Sequence, residues 1–163
     1  MGASAAPIGG YGPDRTEPCI GSRSICDHAR VAVKPRELRF AIDLEPAGQF
    51  RTEDGGMLQP GEEWTPEHIL LAALVRCSLK SLHFHADRAG VRVVSESAAA
   101  SSLVTRRETD GRYAVVEASV ELAVTLEPRP EPDALAALLA KAERDCFVGA
   151  SLQAKPTYRW AVS

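Results

Sequence analysis

An α+β fold, with short antiparallel strands gathered around one long central helix, follows from three features of the sequence. The periodic segments run strands, helix, strands, helix, strand, whereas a doubly wound parallel sheet would alternate strand and helix regularly. From Ile69 to Val75 every residue is apolar, so this helical stretch has no solvent face and is expected to lie inside, covered on both sides. Asp110-Gly111 stands between two strand-like runs, a strong tight-hairpin signal and hence an antiparallel pairing.

Residues 1 to about 28 are rich in Gly, Pro, Ser and Asp with little apolar periodicity, and are expected to form a loose arm preceding a domain over 29–163. Arg30 to Val33 and Arg39 to Leu44, separated by Lys34-Pro35, are expected as two strands of a meander. Residues 45–64 carry Gly48, Gly55, Gly56, Pro60 and Gly61 and are expected to be a long polar connection. The central helix is expected from Pro66 to Ala89, with Thr65 as N-cap, Pro66 at the first helical position, Glu67 near the positive end of the dipole and Gly90 as terminator. Val91 to Val94, Ser102 to Arg107 and Tyr113 to Leu126 follow as strands. In the last, Val116, Ala118, Val120, Leu122, Val124 and Leu126 alternate with polar residues and define one buried face. Pro128 and Pro130 break the chain. Leu135, Leu138, Leu139 and Ala142 then mark an amphipathic helix over Pro132 to Asp145, and Thr157 to Val162 is a closing strand.

The chain has 163 residues, 45% of them hydrophobic and 25% charged, with a formal charge of −3. That length suits one domain able to bury a core without disulfide staples. No basic patch of the kind that binds nucleic acid stands out. The apolar runs are far shorter than the roughly 20 residues of a membrane-spanning helix. Met1 to Pro7 lacks both the basic start and the apolar stretch of a secretory signal. The expectation is a soluble cytoplasmic protein that binds neither membranes nor nucleic acid. Its four cysteines are then unpaired thiols that are buried, catalytic or metal-bound.

Free cysteine is often simply a small core hydrophobe. Cys77 departs from that reading because Arg76 and Lys80 bracket it, and a cation aimed at the sulfur lowers the thiol pKa from about 8.5. Cys146 ends the second helix, where polar residues give way to an apolar turn. If both thiols reach one cleft, a peroxide oxidises one to a sulfenic acid and the other condenses with it to a disulfide. Cys19, Cys26 and His28 form a second cluster, but their spacing does not match a structural zinc knuckle and no fourth ligand is at hand. His83 and His85 lie on different helix faces and are expected at the surface or an interface. No phosphate loop, serine nucleophile elbow or His-Glu-x-x-His helix occurs, and no cofactor is expected.

The run Thr65-Pro66-Glu67-His68-Ile69-Leu70-Leu71-Ala72-Ala73-Leu74-Val75-Arg76-Cys77 resembles the signature of the OsmC/Ohr family, whose helix opens on Pro-Glu and carries the reactive cysteine ten residues after that glutamate. Cys146-Phe147-Val148-Gly149-Ala150-Ser151-Leu152 resembles the family's second cysteine motif, with Phe147 and Gly149 where Pro and Ser are common. The resemblance covers about residues 30–163; the N-terminal arm is not part of the family's usual pattern. It implies an intertwined homodimer whose antiparallel sheets wrap around the long helix. It also implies a thiol peroxidase for organic hydroperoxides, with hydrogen peroxide a poorer substrate. Cys77 would be the peroxidatic thiol, Cys146 the resolving thiol and Glu67 the active-site glutamate. A dithiol, lipoyl-type or small thiol, would act as reductant. The family's thiolate-holding arginine falls to Arg36 or Arg39. Glu67 and Cys77 of one straight helix are about 15 Å apart by the helical rise, so they act apart or across two chains. The rival reading is a non-catalytic OsmC-like domain that binds an apolar ligand or partner.

Overall fold

The computed structural model of the protein describes residues 37–163. The expected arm with Cys19, Cys26 and His28, the expected strand at Arg30 to Val33, the boundary at 28/29 and Arg36 all lie outside the described residues. Phe40–Ser163 form one unit, and residues 37–39 are considered by themselves.

The unit begins with a small antiparallel meander of β1 (Ile42–Leu44), β2 (Phe50–Thr52) and β3 (Met57–Leu58). The expected polar connection over 45–64 therefore contains two strands. Three and two residues are too few for an alternation to stand out from the sequence, and the pairing is set by turns in which Gly48 and Gly55 adopt φ of +78° and +82°. Such φ values suit glycine because they bring a side chain against the backbone.

Helix α1 (Pro66–Arg88) starts where expected. His68 takes the acceptor role in the cap, its Nδ1 accepting the Thr65 N–H at 3.2 Å. The helix stops at Gly90, whose φ is +70°. By length and composition alone α1 could cross a membrane, yet Leu74, Ser78, Leu82 and Ala86 form one buried stripe within the fold. The expectation that Ile69 to Val75 is covered on both sides does not hold in the single chain, since Ala72 and Ala73 are exposed. An apolar run states how much surface can be buried; the elements packed against it decide how much is.

Strands β4 (Arg92–Arg106) and β5 (Tyr113–Glu127) form a long antiparallel hairpin. The two strands expected at Val91 to Val94 and Ser102 to Arg107 are thus one. The Ser- and Ala-rich middle of β4 has low intrinsic strand preference and is carried by its register against β5, from Ala98 opposite Leu122 to Ser102 opposite Ala118. The turn over residues 107–112 is longer than a two-residue loop. The Arg107 N–H bonds the Arg112 carbonyl at 2.9 Å, and Gly111 takes φ +69°.

The alternation expected in β5 is observed, with Ala118, Val120, Leu122, Val124 and Leu126 buried. Helices α2 (Pro132–Arg144) and α3 (Phe147–Ser151) then cross over to β6 (Thr157–Val162), which pairs parallel with β5. A parallel return needs such a crossover. The sheet is therefore mixed, in the order β4-β5-β6. Two apolar clusters lie between sheet and helices. One joins Leu82 and Ala86 of α1 to Val124, Leu126, Leu138 and Ala142; the other joins Leu74 to Ala118, Val120, Leu122 and Cys146.

Candidate functional site: two thiols at the α1–α3 contact

Cys77 and Cys146 meet in the second cluster. Cys146 is fully buried, whereas Cys77 is partly exposed beside it, and both are free thiols. Cys77 packs against the cluster that holds Cys146, and each thiol acts on the other's ionisation. The meeting follows from local structure. Cys77 is in the middle of α1, one position before the buried stripe residue Ser78, and Cys146 is the N-cap of α3, where its sulfur accepts the Gly149 N–H at 3.3 Å. Backbone hydrogen bonding from Val148 and Phe147 favours the Cys77 thiolate.

Two hydroxyl groups complete the surroundings of Cys146. Ser78 Oγ is 3.4 Å from Cys146 Sγ, 3.5 Å from the Tyr158 hydroxyl and 2.9 Å from the Leu74 carbonyl oxygen. Burial raises the Cys146 thiol pKa, but bonds from Ser78, the Gly149 N–H, Cys77 and Tyr158 outweigh it, and the net shift is downward. For Cys77 the balance is reversed. Burial pushes it up, the neighbouring Cys146 adds to the rise, and the backbone N–H groups offset only part. Tyr158 is pushed up to about 12 by burial, so its hydroxyl keeps its proton and acts as a donor.

The bracketing of Cys77 by Arg76 and Lys80 does not translate into contact. Both cations line an open groove of roughly 620 Å³ together with Trp64, His68 and His83. At 100° per residue the middle of that groove lies across α1 from Cys77, with Lys80, about 60° from Cys77, at its near edge. The main causes of the Cys77 shift are burial, Cys146 and the backbone of Val148 and Phe147, none of them a cation. Phe147 is 61% exposed and lies at the start of α3, away from the groove that Trp64 lines. Glu67 is exposed in the first turn of α1, its pKa lowered by its own backbone N–H and by Thr65. Arg39 is exposed and pairs with Glu37 at 3.1 Å.

His83 pairs with Glu96 of β4 at 2.8 Å. His85 reaches Asp145, also at 2.8 Å, and Arg144 grips the same carboxylate with two bonds of 2.7 Å. This network anchors the residue before Cys146 to α1. Sequence reasoning missed Ser78, Gly149 and Tyr158. Their signals were faint: a serine next to Cys77, a glycine inside a short helix, and a tyrosine on the inward-facing series Tyr158, Trp160, Val162 of β6.

An OsmC-like protein family model matches residues 59–161, a span that holds Glu67, Cys77 and Cys146. No curated protein sequence matches the chain. An organic hydroperoxide resistance protein from Legionella pneumophila shares the fold with a TM-score of 0.52 at 17% identity, covering 79% of this chain and 99% of its own. A second, from Elizabethkingia anophelis, gives 0.54 at 14% identity over 80% and 98%. An OsmC-like protein of unknown function from Vibrio cholerae gives 0.57 at 16% identity over 69% and 82%. With more than half of the sequence spanned by the family model and the same α+β architecture in these structures, the chain belongs to the OsmC-like protein family.

Proposed function

We propose that the protein is a thiol-dependent peroxidase that reduces organic hydroperoxides, and hydrogen peroxide more weakly. The observation that carries this reading is the packing of a partly exposed free thiol, Cys77, and a fully buried one, Cys146, into one cluster. Membership in the OsmC-like family, and a fold shared with two organic hydroperoxide resistance proteins, support it. The Cys77 thiolate attacks a peroxide oxygen, the O–O bond breaks, an alcohol leaves and Cys77 becomes a sulfenic acid. Cys146 displaces water to close a disulfide. An external dithiol, lipoyl-type or small thiol, reopens it by exchange, as fits a reducing cytoplasmic setting.

Attack needs Cys77 ionised, and in the single chain burial opposes that. We therefore assign the activating cation to Arg36, with Arg39 the alternative, and its fixation to Glu67 through a bidentate pair. The helical rise keeps Glu67 about 15 Å from the Cys77 of its own chain, so in this scheme a second copy supplies it. Two observations support a homodimer. Phe40, Ile42 and Leu44, the apolar face of β1, are 81%, 65% and 64% exposed, and such a patch calls for a cover. The meander carrying them is acidic, with Asp43, Glu45, Glu53 and Asp54 against Arg51, while the α1 groove carries Arg76 and Lys80 against one carboxylate, Glu96. The meander of one copy complements the groove of another. Residues 29–163 then form the catalytic domain and 1–28 an arm.

Mass spectrometry after one equivalent of cumene hydroperoxide tests the mechanism. The expected product is a Cys77–Cys146 disulfide, with peroxide consumption lost in Cys77→Ser. Sulfinic acid at Cys77 with Cys146 untouched removes the resolving role. The raised pKa of Cys77 favours a second reading, a non-catalytic domain that binds an apolar ligand. It predicts no peroxide turnover and two thiols inert to alkylation in the folded state.

A further inference from the structure

We infer that Ser78 and Tyr158 are positioning residues of the resolving step, their hydroxyls holding the Cys146 sulfur as the nucleophile that closes the disulfide. This rests on the peroxidase reading above. Three elements meet around the Cys146 sulfur: Ser78 from α1 and the Gly149 N–H from α3 bond it, and Tyr158 from β6 is bonded to Ser78 Oγ beside it. The titratable groups around it are Cys77 on α1 and Tyr158 on β6, with Glu143 of α2 acting on Tyr158. Asp145 is the neighbour in the chain, but its carboxylate is turned to Arg144 and His85.

Proton counting gives the hydroxyls distinct jobs. Ser78 has one hydroxyl proton and three acceptors within 3.5 Å, the Leu74 carbonyl being nearest at 2.9 Å. While Cys146 is a thiol, that proton rests on the carbonyl, the nearest of the three acceptors. When Cys146 ionises, the Ser78 and Tyr158 hydroxyls turn their protons toward the sulfur, so a buried thiolate gains donors without backbone movement. Room for the phenol at this spot depends on Gly149. A Cβ there would sit 2.7 Å from the Tyr158 hydroxyl and 3.4 Å from Cys146 Sγ. The step balances as follows. The Cys146 thiolate attacks the sulfur of the Cys77 sulfenic acid, the S–S bond forms and the S–O bond breaks. The departing hydroxide joins the proton that Cys146 gave up and leaves as water.

The test uses the full chain and its Tyr158→Phe, Ser78→Ala and Ser78→Thr variants, treated with cumene hydroperoxide in excess across a pH series and analysed by peptide mapping. Wild type is expected to stop at the Cys77–Cys146 disulfide. Tyr158→Phe and Ser78→Ala are expected to carry severalfold more sulfinic acid at Cys77, because slower resolution leaves the sulfenic acid open to a second peroxide. Their pH midpoint for disulfide formation should move up by about one unit for each donor lost, and Ser78→Thr should restore it. An unchanged sulfinic share and midpoint in both variants overturns the inference. So does a uniform loss of disulfide with no midpoint shift, which is what a packing defect gives. A wild type that consumes no peroxide refutes the peroxidase reading instead, which keeps the two failures distinct.

Discussion

Gly149→Ala is the sharpest probe of how tightly the thiol site is packed. The added methyl would lie 2.7 Å from the Tyr158 hydroxyl, 3.4 Å from Cys146 Sγ and 3.6 Å from Leu74 Cδ1. The last two are tolerable, but the first is well inside the roughly 3.5 Å of an ordinary nonbonded contact. The phenol is partly buried and bonded to Ser78, so it cannot swing away freely. Overpacking of this kind costs about 1–3 kcal/mol, and alanine returns about 0.5–1 kcal/mol through its better helix propensity. The net expectation is a loss of about 1–2 kcal/mol, a fall in Tm of roughly 3–6 °C for a chain of this size. Calorimetry or urea unfolding of Gly149→Ala, Tyr158→Phe and the double variant makes the measurement a cycle. Removing the phenol oxygen removes the single close contact, so alanine should be neutral or stabilising in the Tyr158→Phe background. An equal loss in both backgrounds would mean that the cost lies elsewhere than at the hydroxyl, and the packing account of Gly149 would fail.

Leu74 is fully buried between the two cysteine elements and the sheet, so Leu74→Ala should lower unfolding free energy by about 2–5 kcal/mol in urea titrations. Asp145 has its pKa lowered to about 2 from 3.8, by the Arg144 bonds first and His85 after, against the effect of burial. A depressed carboxylate contributes stability above its unfolded pKa, so this contribution is expected to be present above about pH 4 and lost as the pH falls toward about 2. Unfolding of wild type against Asp145→Asn should show a difference that shrinks over that window; a difference independent of pH would exclude the pair as its source. Ile42→Asp places a charge on the exposed β1 face, and light scattering after size exclusion is expected to show monomer where wild type shows dimer.

Much of the fold was legible in the sequence because local chemistry and final structure agree. Thr65-Pro66 and Gly90 bracket α1, and the two-residue alternation of β5 matches its buried face. The misses arose where tertiary pairing overrides local preference. The Ala- and Ser-rich centre of β4 is a strand only because β5 lies beside it, and β2 and β3 are too short to show a period. In the site, Cys77 and Cys146 stood out by their residue type and motif. The charges near Cys77 in sequence misled, because Arg76 points about 100° away from it around the helix and Lys80, though only about 60° away, lines the groove with Arg76 instead.

Near neighbours and simple periods in the chain are enough for the set of elements, the two thiols and the family motifs. That the thiols share one cluster, that Ser78 and Tyr158 stand beside the buried one, and that β6 returns parallel to β5 came only from the packed fold. These depend on residues 68 and 80 positions apart in the chain. No local pattern encodes such contacts; they form only when helix, sheet and crossover bury their apolar faces together.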